Sequence, residues 1–252
     1  MKVLLSPAKA LDMTRELDST LATEPIFLKD SEALVKKLSK FSAQKIGKMM
    51  SLSKDLAQLN FDRYQDWTAD VEKSTNNSHA IAAFNGEVYR GFNVSTLSEA
   101  QLENAQNQVR ILSGLYGILK PLDVIKAYRL EMGTKWSITP KKTSLYKYWG
   151  TRIADVINEE ETEVIINCAS NEYFKAVDRK TLKARVITPV FKDLKNGELK
   201  TIMVFAKKAR GSMARFIVDN NITNPEEVKN FDADGYRYDE NLSSEDEWVF
   251  VR

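Results

Sequence analysis

Two periods of apolar residues alternate along this chain, and each change of period marks an expected element. Residues 1–5, apolar apart from Lys2, predict a short buried strand that runs straight into Ser6-Pro7-Ala8-Lys9. Residues 30–60 predict two or three short helices, with Ser31, Ser42 and Ser53 as caps and Leu34, Val35, Leu38, Ile46, Met49, Met50, Leu56 and Leu59 inside. Residues 68–79 are polar and predict a loop, with His79 in a structural role where it meets the next strand. That strand is expected over 80–84, followed by an Asn85-Gly86 turn and a second aromatic segment, VYRGF, whose Tyr89 and Arg90 could face a ligand. Further on, Leu102, Ala105, Val109 and Leu112 recur at spacings of 3, 4 and 3, one face of an amphipathic helix opened by a Ser98–Gln101 capping box.

Gly114 and Gly117 then break the helical pattern and Pro121 closes a turn. The following LDVIKAY fits either a second helix or an extended piece. A helix is expected from Thr143, with Leu145, Trp149, Ile153 and Val156 on one face, and a strand over 163–167. Residues 185–191 and 199–206 predict two strands about Lys195-Asn196-Gly197-Glu198, with Pro189 placing the first at an edge or bulge. A helix holding Met213, Phe216 and Ile217, a short helix after Pro225 and a strand at 247–251 complete the pattern. Helices and strands are interleaved, with no repeat, low-complexity tract or linker. The expected architecture is therefore mixed α/β in a single domain, 1–252, with a central mixed sheet surrounded by helices.

Composition narrows the chemistry more than the fold. The 252 residues are 43% hydrophobic and 29% charged, ordinary for a globular protein, and no apolar run reaches the length of a bilayer span. The opening MKVLLSPAKALDM has too short an apolar stretch for a signal peptide, and a reducing cytoplasm suits the single cysteine, Cys168. One histidine and one cysteine leave no material for a His/Cys zinc site or a histidine-based triad. No metal or cofactor is therefore expected, and any catalysis would fall to Lys, Arg, Glu, Asp or Tyr.

The net charge of +2 hides a segregation. Residues 126–152 carry seven bases against Glu131 alone; Lys207, Lys208, Arg210 and Arg215 form a second basic cluster; residues 226–247 carry nine acids against two bases. Separated charge of this kind marks a face for an anionic partner, or simply a solvated surface. The bases from Lys207 fall at an expected strand-to-helix junction, where cations are unfavourable unless an anion binds. A second candidate follows the strand at 163–167, where Asn167, Ser170, Glu172 and Lys175 bring chemically useful groups to a strand end. Gly114 and Gly117 admit two readings, a phosphate-binding hairpin between helices or a tight turn at positive φ.

The motifs SPAKALD, FNGEVY, LSGLYGILKPLD with YRLEMG, LYKYWG, NCASNEYFK and FAKKARGSMARFI occur in this order from end to end. Together they resemble the YaaA peroxide-stress family of bacterial cytosolic proteins. That resemblance implies a mixed α/β fold, sometimes called the cantaloupe fold, with a positively charged cleft and a helix-hairpin-helix-like element, expected around Gly114–Gly117. It implies survival of hydrogen peroxide through limited iron-dependent damage, and binding of regular or irregular duplex DNA. On this reading Lys9, Gly114, Gly117, Arg129, Lys207, Lys208, Arg210 and Arg215 contact phosphate in a sequence-independent, salt-sensitive way. The alternative, with a small anionic ligand as a further possible partner, is an enzyme acting on a nucleobase, a nucleotide or nucleic acid. In it Glu131 and Glu172 exchange protons while Lys9, Arg129 or Lys207 stabilise developing negative charge. Direct iron sequestration fits the residues least, since only the acidic tail offers ligands.

Overall fold

The computed structural model describes residues 1–17, 21–69 and 77–252. Among these the main sheet has eight strands: β1 (Lys2–Leu5), β2 (Val109–Ser113), β3 (Gly117–Leu119), β4 (Val164–Asn167), β5 (Arg185–Lys195), β6 (Glu198–Lys200), β7 (Arg237–Asp239) and β8 (Glu247–Val251). Their order is β7-β8-β5-β4-β1-β2-β3, with β6 folded back on β5. The five middle strands run parallel, and β3, β6 and β7 pair antiparallel. Val3, Leu4, Leu5, Ile111, Leu112, Ile165 and Ile166 are fully buried, as strands covered on both faces must be. Each such Leu or Ile contributes about 1.5–3 kcal/mol by leaving water.

Ten helices surround the sheet among the described residues: α1 (Leu28–Leu38), α2 (Ala43–Met50), α3 (Lys54–Asp66), α4 (Ala80–Ala83), α5 (Glu87–Phe92), α6 (Glu99–Gln108), α7 (Leu145–Trp149), α8 (Arg152–Glu159), α9 (Asn171–Phe174) and α10 (Met203–Asp219). The caps at Ser42, Ser53 and Ser98 are present, the last with its full capping box. Ser31 is instead buried inside α1, where its hydroxyl donates to the carbonyls of Phe27 and Leu115 at 3.0 Å.

Several expectations are corrected. The helix ends at Gln108, because VRIL, with Arg110 buried against Glu160, pairs with β1 inside the sheet. Residues 80–83 are a helix, not a strand, and Gly86 leads into α5 rather than closing a hairpin. The strand at 199–206 stops at Lys200, so Lys207 and Lys208 lie in the second turn of α10 and not at a junction. Pro189 sits in an interior strand. There the β4 pairing has already ended at Ile187, so its missing N–H removes no ladder bond. The open segment after Pro121 is extended, with Val124–Lys126 paired to Asn77–His79. Much of the expected 68–79 loop, residues 70–76, lies outside the described residues, and the His79 ring bonds the Leu21 carbonyl at 2.9 Å.

The expected helix-hairpin-helix at Gly114–Gly117 is a buried β-hairpin, β2 to β3. A Cβ on Gly114 would lie 2.2 Å from the Leu130 carbonyl oxygen, and one on Gly117 2.9 Å from the Trp149 ring. Trp149, fully buried, donates its indole N–H to the Gly114 carbonyl at 3.1 Å. These two glycines let the YRLEMG segment and Trp149 close over the hairpin. They are packing residues with no open amides to offer phosphate.

Candidate ligand cleft at the switch point

From β1 the chain leaves toward β2, whereas from β4 it leaves toward β5 on the other side. Two adjacent parallel strands whose connections diverge open a crevice at their carboxyl ends. Here the crevice has a volume of about 770 Å³, within the range of small-molecule sites. The loop Ser6-Pro7-Ala8-Lys9 follows β1, and Cys168-Ala169-Ser170 follows β4. The Ser170 N–H donates to Ser6 Oγ at 2.8 Å, and Tyr89 of α5 donates to the Ser6 carbonyl at 2.9 Å. Both strand ends are thus fixed to each other and to α5.

Helix α10 completes the cleft because two glycines let it touch α5. A Cβ on Gly91 would lie 2.1 Å from the Lys208 carbonyl oxygen, and one on Gly211 1.7 Å from that of Val88. Contact at backbone distance brings Met203, Lys207 and Arg210, spaced 4 and 3 along one helix face, to the cleft lining.

The polar groups divide into those that answer one another and those that do not. Glu131 pairs with Lys9 at 2.7 Å and Arg129 at 3.0 Å, and Arg129 also donates to the Lys9 carbonyl at 3.3 Å. Burial alone would raise the Glu131 carboxyl, but hydrogen bonds from Lys9 and Arg129 outweigh it and hold the group below its ordinary value. Glu131 is therefore a carboxylate at neutral pH. Glu172 accepts the Gly133 N–H at 2.9 Å, its carboxylate lying 3.0 Å from where a Cβ on Gly133 would be. Lys207 and the half-buried Arg210 have no carboxylate or hydrogen-bond partner among the described residues. Cys168 is buried beneath them, and burial pushes its thiol up to about 12 despite the nearby Arg210.

Of the residues singled out from sequence, Lys9, Glu131, Ser170, Glu172, Lys207 and Arg210 line the cleft, and Arg129 reaches it through Glu131. Asn167 lies under it, its side-chain oxygen accepting the Ala169 N–H at 3.2 Å. The rest point elsewhere. Lys208 pairs with Asp234 at 2.8 Å and Arg215 with Asp219 at 2.7 Å, while Lys175 is exposed beside the Tyr146 ring. The two basic clusters therefore share one cleft only in part. Ser6 and Glu87, which lie in the SPAKALD and FNGEVY motifs but carried no site role there, also line it. A smaller cavity of about 430 Å³ lies by Thr23, Arg110, Asp123 and Glu160. Two of its buried charged groups are paired within the protein, Arg110 with Glu160 at 2.7 Å and Asp123 with the Thr23 hydroxyl at 2.6 Å.

A second basic surface lies apart from these motifs. Helices α2 and α3 form a helix–turn–helix across Ser51-Leu52-Ser53. Ser51 is left-handed (φ 54°), and Gly47 packs on Ala57. Residues 33–54 hold six lysines and no acid, a signal plain in the sequence once looked for. Lys45, Lys48 and Lys54 flank the turn, exposed and without carboxylate partners among the described residues.

Among the described residues no helix is long and apolar enough to cross a membrane, and no group of three or more His, Cys, Asp or Glu is placed to hold a metal ion. The sequence model of peroxide stress protein YaaA matches residues 1–242. A UPF0246 protein of Paraburkholderia phytofirmans is 47% identical over 258 residues, covering 100% of this chain and 98% of that protein. One from Bordetella pertussis is 49% identical over 256 residues, covering 100% and 99%. With this agreement over its whole length, the chain belongs to the peroxide stress protein YaaA family.

Proposed function

We propose that the protein serves the peroxide stress response, in the cytoplasm, by binding the phosphate backbone of DNA. The lysines of the α2–α3 hairpin are the principal grip, and the cations at the mouth of the cleft are a second contact. The observation that carries this is the exposed lysines Lys45, Lys48 and Lys54 flanking a helix–turn–helix, none with a carboxylate partner among the described residues. Shielding DNA in this way limits iron-dependent damage at the target, with no need to ligate iron.

The test is anisotropy of labelled duplex, bulged and single-stranded DNA across a salt series. Phosphate neutralisation gives an affinity that falls steeply with salt, and removing each contacting lysine lowers the log–log slope by about one. Replacing Lys45, Lys48 and Lys54 by alanine should therefore reduce the slope by up to about three. An affinity unchanged between low and moderate salt would defeat the proposal.

One observation favours a second reading, an enzyme of nucleobases or nucleotides. Glu87, Glu131 and Glu172 share the cleft with the cations, and carboxylates repel a run of phosphates. Glu131 and Glu172 would then exchange protons. Glutamine at either position leaving cellular peroxide resistance intact speaks against it.

A further inference from the structure

We propose that the switch-point cleft is a receptor for one nucleoside monophosphate unit bearing an amino group on its base. Lys207 and Arg210 hold the phosphate, and Glu131 and Glu172 accept from the amino edge. The proposal builds on the nucleic-acid reading above but concerns a different surface from the α2–α3 hairpin.

The unpaired cations come first. Along α10, Lys208 and Arg215 each have a carboxylate, at 2.8 and 2.7 Å. Lys207 and Arg210, on the cleft-facing side, have none among the described residues, and Arg210 is half-buried. A partly desolvated guanidinium without an acceptor is unfavourable, and a phosphate supplies the matching bidentate oxygens. The carboxylates decide the rest of the ligand. Glu131 is already ionised by Lys9 and Arg129, and one oxygen of Glu172 makes no hydrogen bond among the described residues. A continuous phosphate track is poorly matched to three glutamates, whereas one phosphate joined to an amino-bearing base meets both charges. Carboxylates accept from the exocyclic amino group of a base such as cytosine. Pro7, Ala8, Val88 and Met203 supply apolar surface for the ring, and 770 Å³ is ample for one nucleotide but not for a duplex.

The unit could arrive free or as an unstacked residue of a DNA strand, and the experiment separates the two. Calorimetry at low salt compares dCMP, dAMP, dTMP, deoxyribose 5-phosphate and inorganic phosphate with the full chain. The expected result is binding of dCMP or dAMP about tenfold or more tighter than dTMP or either base-free phosphate, the size of one hydrogen bond to a charged group. Arg210→Ala should weaken all of them, and Glu172→Gln should narrow the gap between dCMP and dTMP while thermal unfolding stays unchanged. Equal binding of phosphate and nucleotides, no nucleotide binding, or an unaltered base preference in Glu172→Gln overturns the proposal. A duplex carrying 2-aminopurine in a bulge reports the source. A fluorescence rise abolished by dAMP assigns the cleft to an unstacked strand residue, and no rise with dCMP binding intact assigns it to the free nucleotide. Duplex binding that depends on Lys45, Lys48 and Lys54 while mononucleotides fail to bind would remove this inference and leave the DNA reading standing.

Discussion

Substituting Gly211 by alanine tests whether the cleft depends on helix contact. The added methyl would start 1.7 Å from the Val88 carbonyl oxygen, 2.7 Å from its carbon and 2.9 Å from the Phe92 nitrogen. An ordinary carbon–oxygen contact is about 3.3–3.6 Å, so α5 and α10 must part by well over 1 Å, against backbone that cannot rotate aside. Overpacking of this kind costs about 1–3 kcal/mol and occasionally more. Alanine's better helix propensity returns up to about 1 kcal/mol, and rigid neighbours place the clash at the upper end, for a net loss of about 2–3 kcal/mol. For a chain of this length that lowers Tm by about 4–12 °C. Differential scanning fluorimetry measures it, with Gly197→Ala as control. Gly197 has open space around it and only its φ of +80° to resist a side chain, so its cost stays near 1–2 kcal/mol. Gly211→Ala should also weaken phosphate binding, since Lys207 and Arg210 ride on the displaced helix. A Gly211→Ala protein as stable as the parent, or less perturbed than Gly197→Ala, would refute the close-contact reasoning.

Asp123, raised by burial to about 6, binds its proton more tightly in the folded protein than in the unfolded chain. It therefore favours folding at low pH, and that benefit is lost as pH rises from about 4 to about 6. At about 1.4 kcal/mol per tenfold change in proton affinity this amounts to about 3 kcal/mol, and Asp123→Asn should flatten that part of a urea-denaturation pH profile. Glu131 has the opposite sign: its lowered value stabilises above the ordinary carboxyl range and loses that contribution as pH falls through the folded value. Glu131→Gln should abolish this acid-limb dependence, tighten inorganic phosphate and reduce any preference for amino-bearing bases, all readable by calorimetry. Trp149→Ala, removing a fully buried indole that closes the β2–β3 hairpin, should cost about 3–5 kcal/mol in chemical denaturation. Lys208→Ala and Arg215→Ala, by contrast, should leave phosphate binding within about twofold, because both point away to Asp234 and Asp219.

The fold class, the strands β1, β4, β5 and β8 and the caps at Ser42, Ser53 and Ser98 were legible because each rests on local chemistry: short apolar runs, an Asn-Gly turn, a hydroxyl three residues before an amide. The misreadings share one physical cause. VRIL after Gln108 continues a helical period by coincidence, and only its pairing with β1 makes it a strand. AIAAF has strand-like composition yet forms a helical turn beside the cleft. Of the site, Lys9, Glu131 and Glu172 were visible as useful side chains in motifs. Their convergence was not, since it depends on β1 and β4 being neighbours across some 160 residues of chain. The glycines misled for a related reason. A glycine that frees backbone for a ligand and one that admits a neighbouring helix or indole look the same until the neighbour is known.

The burial of Cys168 bears on how this chain meets peroxide. Peroxide attacks thiolate, not thiol, and the only sulfhydryl in this chain is buried and held neutral far above physiological pH. No sulfenate forms readily there, and no second cysteine is available to resolve one. Cys168 is thus poorly suited to react with peroxide as a thiol sensor would.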